Sequence, residues 1–459
     1  MRRRQTESRE NENAKRRSNR TDGRGADDAA QMQNGGIGRG DGLGHGRVEV
    51  GRRGGAKTMR EHVGIPHRHG RQSGGREVGE GIHFAGLGGE GQGALADRIG
   101  AAGAGGLVPA DRVEASNAQL MALRDPSWAI AHDRLRAAEG IVELMGLDPT
   151  DGALAAGLSV HQALSALDRL EVRGRDSAGI QLLVTGHGLD LESPQVQALL
   201  DERRYPFFGS GAVRTPEGAL SFVYKAAAEI GELGDNTAAI RSAVLGDELL
   251  HLALESPDAW TMVLGHTRWA SVGIISEANA HPQSSEELAA VSALQRGSTG
   301  GDTQPFTTAV LNGDVDNHAD LAAAETLQLP AEVTTDAKVI PVLWSRRLAE
   351  GQDSEVAFRN AVAPMEGSVA IAANSAARPG ELMLALRGSG QALYVGLADA
   401  AFVIPSEPYG VLEEPANYVR MHGDTPSAPP NPNATRGQIL RLAASAPGHH
   451  AGLTRRRYD

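Results

Sequence analysis

GHTRWAS at residues 265–271 and NAHP at residues 279–282 form the stretch that decides the fold of this chain. The residues TMVL precede it and are apolar or β-branched, so a strand is predicted to run into GHTRWAS. Arg268 then stands at a strand end, where a surface salt bridge is the usual role of an arginine. His281, before a proline, is by itself an ordinary loop histidine. Neither residue indicates a function until the rest of the chain is considered.

Three further segments follow the same pattern of polar residues placed at the ends of predicted elements. RGRDSAG at residues 173–179 lies between a predicted helix and a predicted strand, and LNG at residues 311–313 ends another strand. TTDAKVI at residues 334–340 opens a predicted helix, with Thr335 as N-cap and Asp336 in the first turn. Singly, these are a polar turn, a tight-turn dipeptide and a charged helix start. Their order along the chain gives the set its meaning.

Together the segments resemble class II glutamine amidotransferases of the N-terminal-nucleophile type, and specifically the glutaminase half of glucosamine-6-phosphate synthases. That family has LEYRGYDSAG, GHTRWATHG, NAHP, HNG and a TD segment in this order. Here the corresponding stretches read LEVRGRDSAG, GHTRWASVG, NAHP, LNG and TTDAKVI, and RGSGQALYVGLADAAFVIPSE at residues 387–407 resembles a later family stretch. The resemblance covers roughly residues 158 to 407. It implies an α+β fold, the four-layer αββα sandwich of N-terminal-nucleophile hydrolases.

The resemblance also implies a glutamine pocket. A guanidinium suits the α-carboxylate of glutamine and a carboxylate suits its α-ammonium, roles that fall to Arg268 and Asp336. Attack on the side-chain amide creates an oxyanion, which needs fixed hydrogen-bond donors. The implied oxyanion donors are the Asn312 side chain and the Gly313 N–H, the pocket lining is Trp269, Ser271 and His281, and Arg173 holds the loop around the nucleophile. No cofactor and no metal are implied.

The sequence departs from the family where the reaction begins. Family members attack with the thiolate of an amino-terminal cysteine, whose own α-amine serves as base, but the 459 residues include no cysteine. Leu311 replaces the family histidine before Asn-Gly, Ser271-Val272 replaces Thr-His, and no sugar-isomerase half is present. Because the missing cysteine start and the missing isomerase half concern the two ends while the pocket motifs are retained, we favour a sequence that has lost its true start and its carboxy-terminal half. As it stands, the chain is expected to be inactive.

Two alternatives remain open. In the first alternative, the chain is a non-catalytic glutamine-binding or interaction module, since Arg268 and Asp336 without a nucleophile suit binding without turnover. Otherwise, an amino-terminal serine or threonine exposed by processing replaces the cysteine, although no segment marks a cleavage site. The expected partners are glutamine and a separate sugar-isomerase domain or chain, and the sequence leaves the oligomeric state open.

Composition divides the chain into four predicted parts. Residues 1–106 are rich in Gly and Arg without periodicity, which indicates a long disordered extension or a mistranslated start. Residues 107–157 are predicted as a helical insertion that breaks near Asp125-Pro126. Residues 158–415 form the amidotransferase-like domain, in which FVYKAAAEIGELGDNTAAIRSAV at residues 222–244 is predicted to be helical. The proline-rich residues 416–459 are predicted as a linker-like tail.

Bulk properties exclude several classes of protein. A net charge of −12 argues against nucleic-acid binding. No apolar run reaches the roughly 18 residues of a membrane span, and the charged amino terminus has no apolar core of a secretory signal, so a cytoplasmic location is the default. GLGGEG at residues 86–91 fits a dinucleotide motif, but no strand and helix flank it. HRH at residues 67–69 lacks further metal ligands.

Overall fold

The computed structural model describes residues 110–146, 148–227, 232–295, 304–388, 390–398, 401–411, 417–425, 436–445, 447 and 449–458. All of them belong to one unit of the chain, Glu49–Asp459. The predicted disordered extension, residues 1–106, lies outside the described residues, as does the PPNPNA part of the tail.

Ten α-helices and thirteen strands are found in the described residues. The helices are α1 (Ala110–Ala129), α2 (Leu135–Met145), α3 (Asp151–Leu170), α4 (Pro194–Asp201), α5 (Asp235–Leu245), α6 (Glu248–Leu254), α7 (Leu288–Gln295), α8 (His318–Ala324), α9 (Val339–Ala349) and α10 (Ser354–Val362). The strands are β1 (Ser177–Thr185), β2 (Val213–Arg214), β3 (Leu220–Ala226), β4 (Trp260–Arg268), β5 (Gln283–Ser284), β6 (Thr307–Gly313), β7 (Val369–Ser375), β8 (Glu381–Arg387), β9 (Tyr394–Leu397), β10 (Phe402–Val403), β11 (Asn417–Arg420), β12 (Gln438–Ala443) and β13 (Leu453–Arg457).

The strands form three antiparallel sheets. Sheet I has the order β2-β3-β1-β4, sheet II has the order β13-β12-β8-β7-β6-β5, and the small sheet III has the order β10-β9-β11. In sheet I, Gly179 of β1 lies opposite Lys225 on one neighbouring strand and opposite His266 on the other. Because residues paired across strands share a face, these side chains point to the same side of the sheet.

Helices cover the outer face of each large sheet. Leu164 and Leu167 of α3 and Val244 of α5 belong to the same buried cluster as Ile180 and Phe222 of sheet I. On the other side, Trp344 of α9 and Phe358 of α10 meet edge to face, with ring centroids 5.2 Å apart. They share a cluster with Leu311 and Ile371 of sheet II. Fully burying one such side chain stabilises the fold by roughly 1.5–3 kcal/mol.

The two large sheets pack against each other through a mixed interface. Leu264 of sheet I shares a buried cluster with Val310, Ala370 and Leu384 of sheet II. The layers therefore run helix, sheet I, sheet II, helix, and the predicted αββα sandwich is confirmed.

Beside this apolar contact lies a chain of buried hydrogen bonds, which we call the inter-sheet clasp (Ser221, Gln181, Asn374 and Thr308). Gln181 Nε2 donates to Ser221 Oγ at 2.9 Å. Asn374 Nδ2 donates to Gln181 Oε1 at 2.9 Å, and Thr308 Oγ1 donates to Asn374 Oδ1 at 2.5 Å. Gln181 and Ser221 belong to sheet I, whereas Asn374 and Thr308 belong to sheet II. The clasp therefore satisfies amide groups whose burial without partners would be costly.

Three predictions about local structure were wrong. The amino-terminal helix does not break at Asp125-Pro126 but runs to Ala129, and a π-helical turn at Ile130–Arg134 separates it from α2. A proline removes one helical hydrogen bond, and a wider turn is one way in which a helix accommodates the loss. FVYKA lies in β3 rather than in a helix. The tail is not simply a linker, because β12 pairs with β8 and β13 in sheet II and its side chains are largely buried.

Candidate functional site

Arg268 is the last residue of β4 and is buried, with 3% of its surface exposed. Its guanidinium donates to three carbonyl groups of the loop that follows. Nη1 reaches Ile274 O at 3.2 Å, and Nη2 reaches Gly273 O at 3.3 Å and also Val272 O. The arginine therefore folds its own loop back over itself, and an external carboxylate would have to displace carbonyl groups of this loop.

RGRDSAG makes backbone and side-chain contacts with the start of the same loop. Asp176 Oδ2 accepts a hydrogen bond from Ala270 N at 2.8 Å, and Asp176 N donates to Arg268 O at 3.1 Å. Gly174 passes so close to the backbone between Arg268 and Trp269 that an added Cβ would lie 2.8 Å from Arg268 C. The glycine and the aspartate of this motif thus fix the start of the loop.

NAHP forms a buried anchor beside the loop. Asn279 is fully buried, and its Oδ1 accepts from Thr334 N at 2.7 Å and from Thr335 N at 2.9 Å. The His281 ring is buried and packs against the ring of His266, with centroids 4.5 Å apart and ring planes tilted by 35°. This histidine receives the N–H of Leu311 on Nδ1 at 3.4 Å, and its Nε2 lies 3.3 Å from Thr335 Oγ1. NAHP therefore links β6 to the segment that precedes Asp336.

Asn312 and Gly313 close β6. The half-buried carboxamide of Asn312 has no hydrogen-bond partner among the described residues. Gly313 has a φ of +121°, a value that an L side chain rarely adopts, and a Cβ there would overlap the Ser368 carbonyl. Pairing with β7 continues past Asn312 through Gly313 to Asp314, whose N–H donates to Ser368 O at 3.2 Å.

Asp336 opens a 3-10 turn, Asp336–Lys338, that leads directly into α9. Thr335 occupies the N-cap position as predicted, but its side chain makes no cap hydrogen bond. Instead, Thr335 Oγ1 donates to Asp336 Oδ1 at 3.3 Å, and Val315 N donates to Asp336 Oδ2 at 2.7 Å. Burial and the neighbouring Asp314 raise the pKa of Asp336, and the Val315 N–H opposes that rise.

Two contacts bring these segments together. Ser271 Oγ donates to Asp314 Oδ1 at 2.6 Å, which joins the Arg268 loop to the residue after Gly313. A Cβ built on Gly273 would lie 2.8 Å from Thr334 Oγ1, so the same loop also packs on the segment before Asp336. Burial lowers the pKa of the Arg268 guanidinium, and the Asp336 and Asp176 carboxylates oppose that change. The loop after Arg268 therefore contacts both the residue that follows Gly313 and the residue two positions before Asp336.

The remaining predicted residues lie at the margin of this site. Trp269 is 71% exposed, and Ser271 is exposed apart from its bond to Asp314. Arg173 forms an ion pair with Glu407, which follows β10. Arg173 thus ties the RGRDSAG turn to the later family-like stretch, whereas Asp176 is the residue that contacts the loop.

Two residues that hold these segments, Asp176 and Asn279, were not singled out from the sequence, and Thr335 was singled out only as a helix cap. Each lies within one of the quoted motifs, so the signal was present in the letters. Their roles consist of bonds to backbone groups distant in sequence, such as that from Thr335 N to Asn279, and residue types alone do not reveal such bonds.

The histidine pair is held neutral by its surroundings. Burial, together with the Arg268 charge, lowers the pKa of His266 to about 4. Burial, His266, Arg268 and Lys225 lower the pKa of His281 well below its usual value. An unfolded histidine has a pKa of about 6.5, so the unfolded state binds more protons than the folded state between pH 6.5 and 4.

We therefore expect the free energy of unfolding to fall as the pH drops from 6.5 toward 4. His266 alone accounts for roughly 3 kcal/mol of this loss, at about 1.4 kcal/mol per pH unit. The measurement is urea denaturation of the chain and of His266→Gln at a series of pH values. The variant should lose less stability over this interval. Parallel curves would show that the folded state protonates His266 normally.

Two classes of feature are absent from the part of the chain that the structure describes. No helix there has the length and apolar character needed to cross a bilayer. Within the same residues, no group of three or more His, Asp or Glu side chains is arranged to hold a metal ion.

The chain is similar in sequence to curated proteins that share one name. It is 28% identical over 259 residues to glutamine–fructose-6-phosphate aminotransferase (isomerizing) of Bacillus cereus, a match that covers 56% of this chain and 32% of that protein. The Pseudomonas syringae protein of the same name is 29% identical over 252 residues, covering 54% and 30%. The Methanothermobacter thermautotrophicus protein is 29% identical over 162 residues, covering 35% and 24%. The chain thus spans about a third or less of the length of these relatives. No protein-family model matches it.

Solved structures give weaker matches. An allosteric regulatory enzyme of purine biosynthesis aligns with a TM-score of 0.39 and 15% identity, covering 65% of this chain and 46% of that one. Glutamine phosphoribosylpyrophosphate amidotransferase from B. subtilis aligns with a TM-score of 0.37 and 16% identity, covering 65% and 47%.

Proposed function

We propose that this chain, which contains a class II glutamine amidotransferase-like domain, binds L-glutamine between Arg268, Asn312-Gly313 and Asp336. The observation that carries this proposal is the pair of contacts made by one loop, Ser271 to Asp314 and Gly273 to Thr334. They join three motifs that lie far apart in sequence. A structural role for each motif alone would not require them to meet.

The charges at this place suit a free amino acid. Arg268 would pair with the α-carboxylate and Asp336 with the α-ammonium. Both are largely shielded from water, and a hydrogen bond to a charged group contributes about 1.5–3 kcal/mol in such a setting. The loop carbonyl groups that now accept from Arg268 would be exchanged for the carboxylate, so binding is expected to move residues 272–274.

The side-chain amide of glutamine would lie beside the end of β6. The carboxamide of Asn312 and the N–H of Gly313 are the two donors proposed to face its carbonyl oxygen. Fixed donors of this kind stabilise the oxyanion that forms when the amide is attacked, and removal of one typically lowers the rate by about 10²–10³. These residues could therefore support hydrolysis if a nucleophile were supplied.

No thiol is available among these 459 residues. We therefore propose binding without hydrolysis by this chain. In the finer form of the proposal, the domain belongs to cytoplasmic amino-sugar synthesis and works with a sugar-isomerase partner, because its relatives are named as isomerizing aminotransferases that use glutamine and fructose 6-phosphate. The second candidate is a glutamine-binding interaction module, which the same free carboxamide and buried charge pair would serve.

The expected result is that the purified chain binds L-glutamine but releases no ammonia from it. Binding is measured by isothermal titration calorimetry with D-glutamine as control, and ammonia by a coupled assay. Ammonia release above the no-protein rate, abolished by Asn312→Ala, would contradict the absence of turnover. A chain that binds neither enantiomer would overturn the glutamine site itself.

A further inference from the structure

The hydroxyl group of Thr335 lies between a buried ring and a buried carboxylate. Thr335 is 3% exposed, and its Oγ1 is 3.3 Å from His281 Nε2 and 3.3 Å from Asp336 Oδ1. None of the roles assigned above uses this hydroxyl group. Because it contacts Asp336, the residue assigned to the α-ammonium of glutamine, it is a candidate for setting the orientation of that carboxylate.

The direction of the hydrogen bonds follows from the partners of the ring. Leu311 N donates to His281 Nδ1 at 3.4 Å, so Nδ1 accepts and the ring proton of a neutral histidine resides on Nε2. Nε2–H then donates to Thr335 Oγ1, and the threonine hydroxyl hydrogen is turned toward Asp336. The Leu311 N–H, through the His281 ring, thus sets the direction in which the Thr335 hydroxyl group donates to the Asp336 carboxylate.

The backbone of Thr335 is fixed as firmly as its side chain. Asn279 Oδ1 accepts from the N–H groups of both Thr334 and Thr335, at 2.7 and 2.9 Å. On its other side, the Asp336 carboxylate accepts Val315 N at 2.7 Å through Oδ2. The carboxylate is therefore held at both oxygens, by Val315 and by Thr335.

We propose that Thr335 is a positioning residue that aims the Asp336 carboxylate at the α-ammonium of the ligand and so makes the site selective for α-amino acids. The proposal rests on the proposed function. Loss of the hydroxyl group would leave Asp336 held by Val315 alone, and the carboxylate could rotate away from an ammonium group. A ligand without that group would not sense the change.

The test compares two ligands and two variants. Thr335→Val removes the hydroxyl group at nearly the same volume, whereas Thr335→Ser keeps it. The ligands are L-glutamine and its analogue that lacks the α-amine, 4-carbamoylbutanoate. We expect Thr335→Val to weaken glutamine binding roughly tenfold, with binding of the analogue changed less than about twofold, and Thr335→Ser to restore glutamine binding. Equal weakening of both ligands, or no weakening of either, would overturn the proposal.

A second measurement separates this inference from the proposed function. If the wild-type chain takes up no glutamine, the proposed function fails, and the positioning of Asp336 is judged from hydrogen exchange at the Val315 amide. Faster exchange in Thr335→Val than in Thr335→Ser supports a carboxylate held by the hydroxyl group. Equal exchange in the two variants overturns it.

Discussion

Replacing Lys225 by methionine should raise the free energy of unfolding by several kcal/mol at pH 7. Lys225 lies in β3 with its amine buried, and Nζ has no hydrogen-bond partner among the described residues. Burial and the nearby Lys338 lower its pKa from 10.5 to about 7. At about 1.4 kcal/mol per pKa unit, that change corresponds to roughly 4–5 kcal/mol. Methionine fills a similar volume and carries no charge.

The sign of the pH dependence follows from proton binding. Between pH 7 and about 10.5 the unfolded lysine is protonated and the folded one is not, so the unfolded state binds more protons and stability rises with pH. Below pH 7 both states are protonated, and the contribution stays at its minimum. The stability gained in Lys225→Met should therefore be greatest at neutral pH and should shrink as the pH approaches 10.

Lys338→Met is the matched control. Lys338 is equally buried and its pKa is lowered to about 8, but its Nζ donates to Ser284 O at 2.6 Å. Its replacement leaves that carbonyl without a donor, so the gain should be smaller or absent. Both variants are compared with the wild-type chain by chemical denaturation from pH 6.5 to 10. A less stable Lys225→Met would show that the amine has a partner in the folded protein.

Asp336→Asn should weaken glutamine binding by roughly a hundredfold or more, since removal of one partner from a shielded charge pair costs about 2–5 kcal/mol. The asparagine keeps the shape of the side chain and can still accept from Val315 N. What it loses is the negative charge that the α-ammonium requires. Binding is measured by titration calorimetry with L-glutamine.

Asp316→Asn serves as the control for this experiment. Asp316 is exposed, adjoins Val315, which donates to Asp336, and carries the same charge, so a general electrostatic effect would act on both variants. We expect its affinity for glutamine to stay within about threefold of wild type. Similar losses in both variants would indicate long-range attraction rather than a contact with Asp336.

The fold was predictable because the motifs have a fixed order. As the sequence indicated, GHTRWAS ends one strand, LNG ends another, and TTDAKVI opens a helix. Local pattern failed where tertiary contacts override it. FVYKA reads as helix by its neighbours AAAEI, yet pairing with β1 makes it a strand.

The tail was misjudged for a related reason. QILRLA is a short, largely apolar run, but prolines on its amino-terminal side suggested a linker. Only the pairing of β12 with β8 shows its place in the core. The sequence predicted the charged residues of the candidate site but not the residues that hold them in position. Arg268 and Asp336 follow from the motifs. Asn279 acts on the backbone N–H groups of Thr334 and Thr335, and Thr335 acts through its hydroxyl group on His281 and Asp336. The sequence does not show which of these groups lie near one another.

The inter-sheet clasp has a consequence for how the chain folds. Gln181 lies in β1 of sheet I, and Asn374 lies in β7 of sheet II, 193 residues later in the chain. If either sheet melted alone, the hydrogen bond between Gln181 and Asn374 and the apolar contact of Leu264 with the other sheet would be lost together. Partial unfolding along this seam is therefore disfavoured, and the two halves of the sandwich form a single cooperative unit rather than two foldons.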